Sequence, residues 1–479
     1  MKRLFALLLL LVAACSSSNE DGPVTVSVIG TTPAIADPNL APIGFSAATL
    51  LSATAQGLVR FDASGQIEPG LAIRWDVSND GLYYTFRIAD GLPVNAGEAA
   101  QRLRIALGRT SRNPLKPVLG AIGEVVAVTP QVIEIRMIAP RPNLLQLFAQ
   151  PTLAIFGRDG GTGPMRLAGH QGKLLVLEPI PTPGLEEEDA EAMRRAGRVL
   201  LRGERSALAV ARFAGGGSDL VLGGRYADLP IARAANLPPR QLRFDPAAGL
   251  FGLAIVDTSG FLGSAEGRRA LSMTVDRQRL ATLLAAPGWR AQMALVPAGI
   301  SELPAPATPD WIDTDLAQRR ILARQAVAAW SARIGAPPLL RVSLPSGPGS
   351  YLLFALLRAN WGAIGVQLVQ VPWRATADLR LVDEVASADI ATWYLRHFEC
   401  GRSAVCSGDA DAALVLARST PSLADRAARL RDADARLAEI TPFIPFGPPI
   451  RWSLVSLRVP AWHENPRGVH PLYHLRDDR

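Results

Sequence analysis

GLVRFDASGQIEPGLAIRWDVSNDGLYYTFRIADGLPV, residues 57–94, is a series of short apolar stretches cut by turn signals. Leu58, Val59 and Phe61 lead into Asp62-Ala63-Ser64-Gly65, a reversal in which glycine supplies the positive φ. A second stretch surrounds Trp75, and Ser78-Asn79-Asp80-Gly81 turns the chain again. Leu82, Tyr84 and Phe86 then alternate with Tyr83, Thr85 and Arg87, the period of a half-buried strand. The stretch predicts a β-meander.

Around it lies a chain of 479 residues, long enough for two or three cores. Its hydrophobic fraction of 48% and charged fraction of 19% describe a globular chain, not a disordered one. The net charge is +7, carried almost wholly by arginine; the lysines are Lys2, Lys116 and Lys173. The arginines are scattered along the chain instead of clustered on one helix, which argues for a solvated surface and against nucleic-acid binding. Lys2-Arg3 followed by an apolar run at 4–12 has the form of a secretory leader, too short to span a bilayer. Without Lys2 and Arg3 the chain keeps 48 basic and 43 acidic residues, net +5.

Leu11-Val12-Ala13-Ala14-Cys15 resembles the lipobox of bacterial lipoproteins, which implies cleavage before Cys15 and acylation of that cysteine. Two acyl chains already suffice for stable anchoring, at about 0.8 kcal/mol per buried methylene. Ser16-Ser17-Ser18-Asn19-Glu20-Asp21-Gly22 reads as a flexible tether. No later run is long and apolar enough to span a membrane, so a body hanging from a lipid is expected.

The order GLV-x-FD-x-x-G-x-I-x-P-x-LA-x-x-W-x-V-S-x-DG-x-x-YTF-x-I-x-DG resembles the signature segment of family 5 extracellular solute-binding proteins, the peptide- and nickel-type receptors of ABC importers. Further landmarks follow in the family's order. Ile35-Ala36-Asp37-Pro38 is similar to its turn near the ligand cleft, and Gly161-Thr162-Gly163-Pro164-Met165 to its re-entry turn. Arg268-Arg269-Ala270-Leu271-Ser272-Met273-Thr274-Val275-Asp276-Arg277 resembles its helix signature, and Pro442-Phe443-Ile444-Pro445-Phe446 its return strand. The resemblance implies an α/β, two-lobed periplasmic-binding-protein-like fold of the cluster C type, with an extra subdomain on lobe I. The expected division is a leader at 1–14, a tether at 15–23 and lobe I at 24–56. Subdomain Ib at 57–155, lobe I at 156–246, lobe II at 247–441 and a lobe I return at 442–479 complete it.

Helical periodicity places further elements at 99–107, 143–148, 207–213, 265–284, 314–334, 351–361 and 423–440. The helix from 314 ends at Gly335 with Pro337-Pro338 beyond it, and Ser422-x-x-Asp425 makes a capping-box-like start for the last. Residues 179–190 read as a Pro-rich, then acidic, loop.

No catalytic constellation is present: no G-x-S-x-G, no H-E-x-x-H and no Walker loop. Pro164 blocks the helix start that a phosphate cradle would need after the Gly-rich run. The histidines at 170, 397, 463, 470 and 474 read as surface loop residues, Pro471 breaking the i, i+4 pair of His470 and His474. The reading therefore calls for no enzyme activity, no cofactor and no metal. Cys400 and Cys406 are the only cysteines after Cys15; in an oxidising compartment their disulfide would close a small loop, worth roughly 2 kcal/mol.

That loop follows Trp393-Tyr394-Leu395-Arg396-His397-Phe398-Glu399, where peptide-binding family members carry an Asp that receives the ligand's α-amino group. Here Arg396 or Phe398 takes that position, depending on the alignment, and Glu399 is left as the nearby carboxylate. Trp393, Tyr394, Arg396, His397 and Glu399 are the ligand-binding candidates. Arg396 suits a carboxylate or phosphate through bidentate hydrogen bonds. The resemblance implies a monomeric, lipid-anchored receptor that captures a peptide or other small solute between its lobes and passes it to an ABC importer permease. A transport-independent sensor or partner lipoprotein on the same scaffold is the alternative.

Overall fold

The computed structural model describes residues 22–157 and 160–476. The leader, Cys15 and the tether through residue 21 lie outside the described residues. No helix among the described residues is long and apolar enough to cross a membrane.

Two sheets carry two lobes. The first runs, in spatial order, Met165–Gln171, Leu174–Pro179, Val199–Glu204, Val24–Ile29, Leu220–Arg225, Arg451–Val455 and Leu242–Asp245. Val24–Ile29 sits inside it, parallel to both neighbours, with Val24, Val26 and Val28 buried on one face and Ser27 buried on the other. The second sheet runs Gln367–Val371, Leu339–Ser343, Leu379–Val385, Gly249–Ile255 and Phe443–Gly447. The chain passes between the sheets at Pro246-Ala247-Ala248 and again at Pro448-Pro449-Ile450. Proline fixes φ in both crossovers, so two short, stiff connections join the lobes.

The return strand differs from expectation. Phe443–Gly447 pairs with Gly249–Ile255 and so belongs to lobe II; the chain re-enters lobe I at Arg451, not at 442. An apolar run such as Phe443-Ile444-Pro445-Phe446 suits a buried edge in either sheet, and only the pairing decides between them.

The meander expected over residues 57–94 is instead two hairpins in separate sheets: Val59–Phe61 pairs with Ile67–Pro69 alone, and Ala72–Val77 with Tyr83–Ile88 joins strands from later in the chain. Ala72–Val77, Tyr83–Ile88, Val132–Met137 and Ile122–Thr129 make an antiparallel four-stranded sheet. Tyr84 and Phe86 are buried while Tyr83 is exposed, and Phe86 meets Phe148 edge-on at 5.9 Å. Helix Ala96–Leu107 covers this sheet, started by a reciprocal capping box between Asn95 and Glu98. One apolar core runs from this subdomain into lobe II, joining Leu119, Leu144 and Leu147 to Ile390, Leu414 and Leu430.

Three local expectations change. The single helix expected over 265–284 is two, Ala265–Thr274 and Arg277–Leu284. Asp276 breaks it: its side chain caps Arg279 N–H at 2.9 Å and its own N–H donates to Asn360 Oδ1 at 2.6 Å. The acidic half of the 179–190 loop begins helix Glu187–Ala196, whose first turn holds Glu187, Glu188 and Asp189 against the positive helix end. His470 is no surface residue. It is buried against Asp245 Oδ2 at 3.1 Å and stacks on Trp462 with 4.9 Å between ring centroids.

Candidate ligand-binding cleft

The sequence candidates divide between two sides of one short segment. Helix Ala391–Leu395 and the turn Arg396–Phe398 follow directly from the lobe II strand Leu379–Val385 through residues 386–390. Trp393 and His397 lie on one side, ring to ring at 4.5 Å. His397 sets Nδ1 2.7 Å from the Trp393 carbonyl and Nε2 3.2 Å from Glu384 Oε2. Tyr394 is in the core, 1% exposed, with its hydroxyl pushed up by burial. Arg396 and Glu399 pair with each other at 3.1 Å on the side facing the subdomain, where Arg396 also donates to the Pro117 carbonyl. Cys400 and Cys406, 5.1 Å apart at Cα, are joined as a disulfide just beyond.

The carboxylate next to this segment is therefore Glu384 and not Glu399 alone. Its side chain is 59% exposed, and the hydrogen bond from His397 holds it below the usual carboxylate range, against the opposing effect of burial. The charges of Arg225 and Arg451 act on it in the same direction. Arg225 ends the lobe I strand Leu220–Arg225, in register with Arg451 of the neighbouring strand. Arg451 in turn crosses to lobe II, bonding Asp383 Oδ1 at 2.7 Å and its carbonyl at 2.9 Å. Arg225 and Glu384 thus flank a buried ion pair that ties the lobes together.

Arg225 is exposed, and its guanidinium has no hydrogen-bond or ion-pair partner among the described residues. Desolvation nevertheless lowers its pKa, followed by the charge of Arg451. A side chain that is both accessible and desolvated sits in a crevice and not on an open surface. Lobe I contributes a free cation there and lobe II a carboxylate with an imidazole beside it. Both groups stand at or near the carboxyl ends of their strands, where ligands bind in open α/β sheets. That strand-end position is the signal in the sequence for Arg225 and Glu384.

Further contacts hold the lobes together. Tyr226 Oη and Ser350 Oγ are 2.8 Å apart, and Arg467 of the lobe I return bonds Asp389. From the subdomain, Asn143 donates to the Asp389 carbonyl at 2.7 Å and Gln150 to the Ser387 carbonyl at 2.5 Å. Gln146 Oε1 accepts from Asp389 N–H at 2.9 Å. The Ser387 and Asp389 carbonyls and the Asp389 N–H are thereby occupied by side chains of the subdomain.

No protein-family model and no curated protein matches the sequence. Solved structures do match. The murein tripeptide binding protein MppA of Escherichia coli gives a TM-score of 0.78 at 19% identity, covering 95% of this chain and 98% of that one. OppA of Haemophilus influenzae in complex with RPPGFSPFR gives 0.78 at 15% identity, over 95% of this chain and 99% of that one. MppA in its unliganded open form scores lower, 0.66 at 19% identity, over 95% of this chain and 97% of that one. The fold is that of the two-lobed periplasmic binding proteins.

Proposed function

We propose that this chain is a solute-binding receptor of the family 5 type, which holds a small zwitterionic, peptide-like solute between its lobes and delivers it to an ABC importer. One observation carries the reading. At the hinge side of the cleft, Arg225 from lobe I stands accessible and unpartnered, with accessible Glu384 from lobe II on the other side of the Arg451–Asp383 pair. A carboxylate on Arg225 and an ammonium at Glu384 would satisfy both, and charge-assisted bonds of this kind are the strong ones. Trp393 and His397 would supply the wall beside the ammonium. The carboxylate-reading role passes from Arg396 to Arg225, because Arg396 is already committed to Glu399 and Pro117.

The Ser387 and Asp389 carbonyls and the Asp389 N–H are taken by side chains of the subdomain, which favours a short solute over a long extended peptide paired along this segment. The neighbours' names support the class: one is a murein tripeptide binding protein and another was solved with a bound peptide. No catalytic group is part of this reading; closure of the lobes buries the solute and releases it unchanged. Acylation of Cys15 would anchor a monomer at the membrane surface beside its permease. Native mass spectrometry of protein purified without denaturation tests the proposal. A stoichiometric adduct of a few hundred daltons, released on unfolding, is expected. A bare protein that also binds nothing from a library of short peptides and amino-acid derivatives would refute it.

A further inference from the structure

A cavity of about 30 Å³ lies between the subdomain and lobe II, on the Arg396 side of the 391–398 segment. It has room for about two water-sized groups. Arg141 and Gly120 come to it from the subdomain; Glu302, Arg396, Arg418 and Arg426 come from lobe II.

The charges lining it do not balance. Glu302 is committed to Arg426 at 2.8 Å, both side chains being less than a tenth exposed, and it also accepts from Ala391 N–H. Arg396 has Glu399. Arg141 finds only carbonyl oxygens, those of Pro140 and Arg418, at 2.6 Å each. The Arg418 side chain has no hydrogen-bond or ion-pair partner among the described residues, and it lies over Gly120, where an added Cβ would stand 3.6 Å from its Cζ. Buried Arg426 keeps an unpartnered Nε–H. Two half-buried guanidiniums, those of Arg141 and Arg418, therefore have no ion-pair partner among the described residues. Burial, and after it the charge of Arg426, pushes Arg141 down to about 10. A buried charge without its partner costs several kcal/mol, so such a site gains from any anion that fits.

We propose that this cavity binds one small monoanion, a halide or the carboxylate of a short organic acid, bridging Arg141 of the subdomain to Arg418 and Arg426 of lobe II. Because the donors come from both bodies, occupancy favours the docked arrangement over any in which they separate. The inference does not depend on what the solute cleft holds.

Thermal unfolding in sodium bromide and, separately, in sodium acetate tests it, with ionic strength held constant by the sodium salt of a bulky sulfonate. The wild-type midpoint should rise and saturate with one or both anions, and Arg141→Met should need at least tenfold more anion for the same rise. Saturation with acetate alone identifies a carboxylate site, and saturation with both a general monoanion site. No saturable rise, or the same rise in wild type and Arg141→Met, overturns the proposal. If that variant does not fold, wild-type crystals decide: an anomalous peak between Arg141 and Arg426 in bromide, or acetate density there, is expected. An empty cavity in both salts overturns it.

Discussion

Asp434 shows how a single buried carboxyl sets part of this protein's pH response. Oδ2 accepts from Ala307 N–H at 2.6 Å, while Oδ1 is buried with no partner. Burial pushes the group up to about 6. The folded state therefore holds the proton more tightly than the unfolded chain does. The stability it contributes is complete below about pH 4, falls as the pH rises toward 6, and is flat above, a loss of about 3 kcal/mol. Asp434→Asn should raise the unfolding temperature above pH 7 and remove this part of the slope. Melting curves from pH 4 to 8 check both; coincident profiles for variant and wild type would contradict the assignment. Asp383 neutralises Arg451 where both side chains are a tenth exposed or less. Asp383→Ala should cost about 3–5 kcal/mol by leaving Arg451 buried and unpaired. Chemical denaturation reads this directly.

At the scale of elements, the strand that presents Glu384 depends on a glycine beside it. A Cβ at Gly249 would stand 2.0 Å from the Glu384 carbonyl oxygen and 2.9 Å from Ala386 N. Gly249→Ala must push Leu379–Val385 outward, so it should cost about 1–3 kcal/mol and weaken solute binding as well. A variant with wild-type stability and wild-type affinity would show that the strand tolerates the shift. The elements themselves were largely legible. Period-two alternation located Tyr83–Ile88, and Ser422 located the start of helix Leu423–Ile440, where it caps Asp425 N–H at 3.2 Å. The break at Asp276 was not legible, because it depends on Asn360, 84 positions along the chain. His470 failed for the same reason: its partners Asp245 and Trp462 come from different segments.

The whole molecule is two sheets joined by proline-stiffened crossovers, with a subdomain packed against the second lobe. Its outline followed from the landmarks of the 57–94 segment and those after it, since turn and core residues recur at fixed intervals whatever the ligand. The cleft did not follow. Trp393, Tyr394, Arg396, His397 and Glu399 are neighbours in sequence, yet their segment turns Arg396 and Glu399 toward the subdomain and leaves only Trp393 and His397 beside Glu384. Arg225 becomes a cleft residue only when lobe II is placed opposite it, a relation between residues far apart in the chain. The most direct test of the account is calorimetric titration of the solute released from the wild-type protein into wild type and Arg225→Ala. The account predicts one-to-one binding that weakens roughly tenfold to a hundredfold in the variant, the loss of one charge-assisted bond. Equal affinities would contradict it.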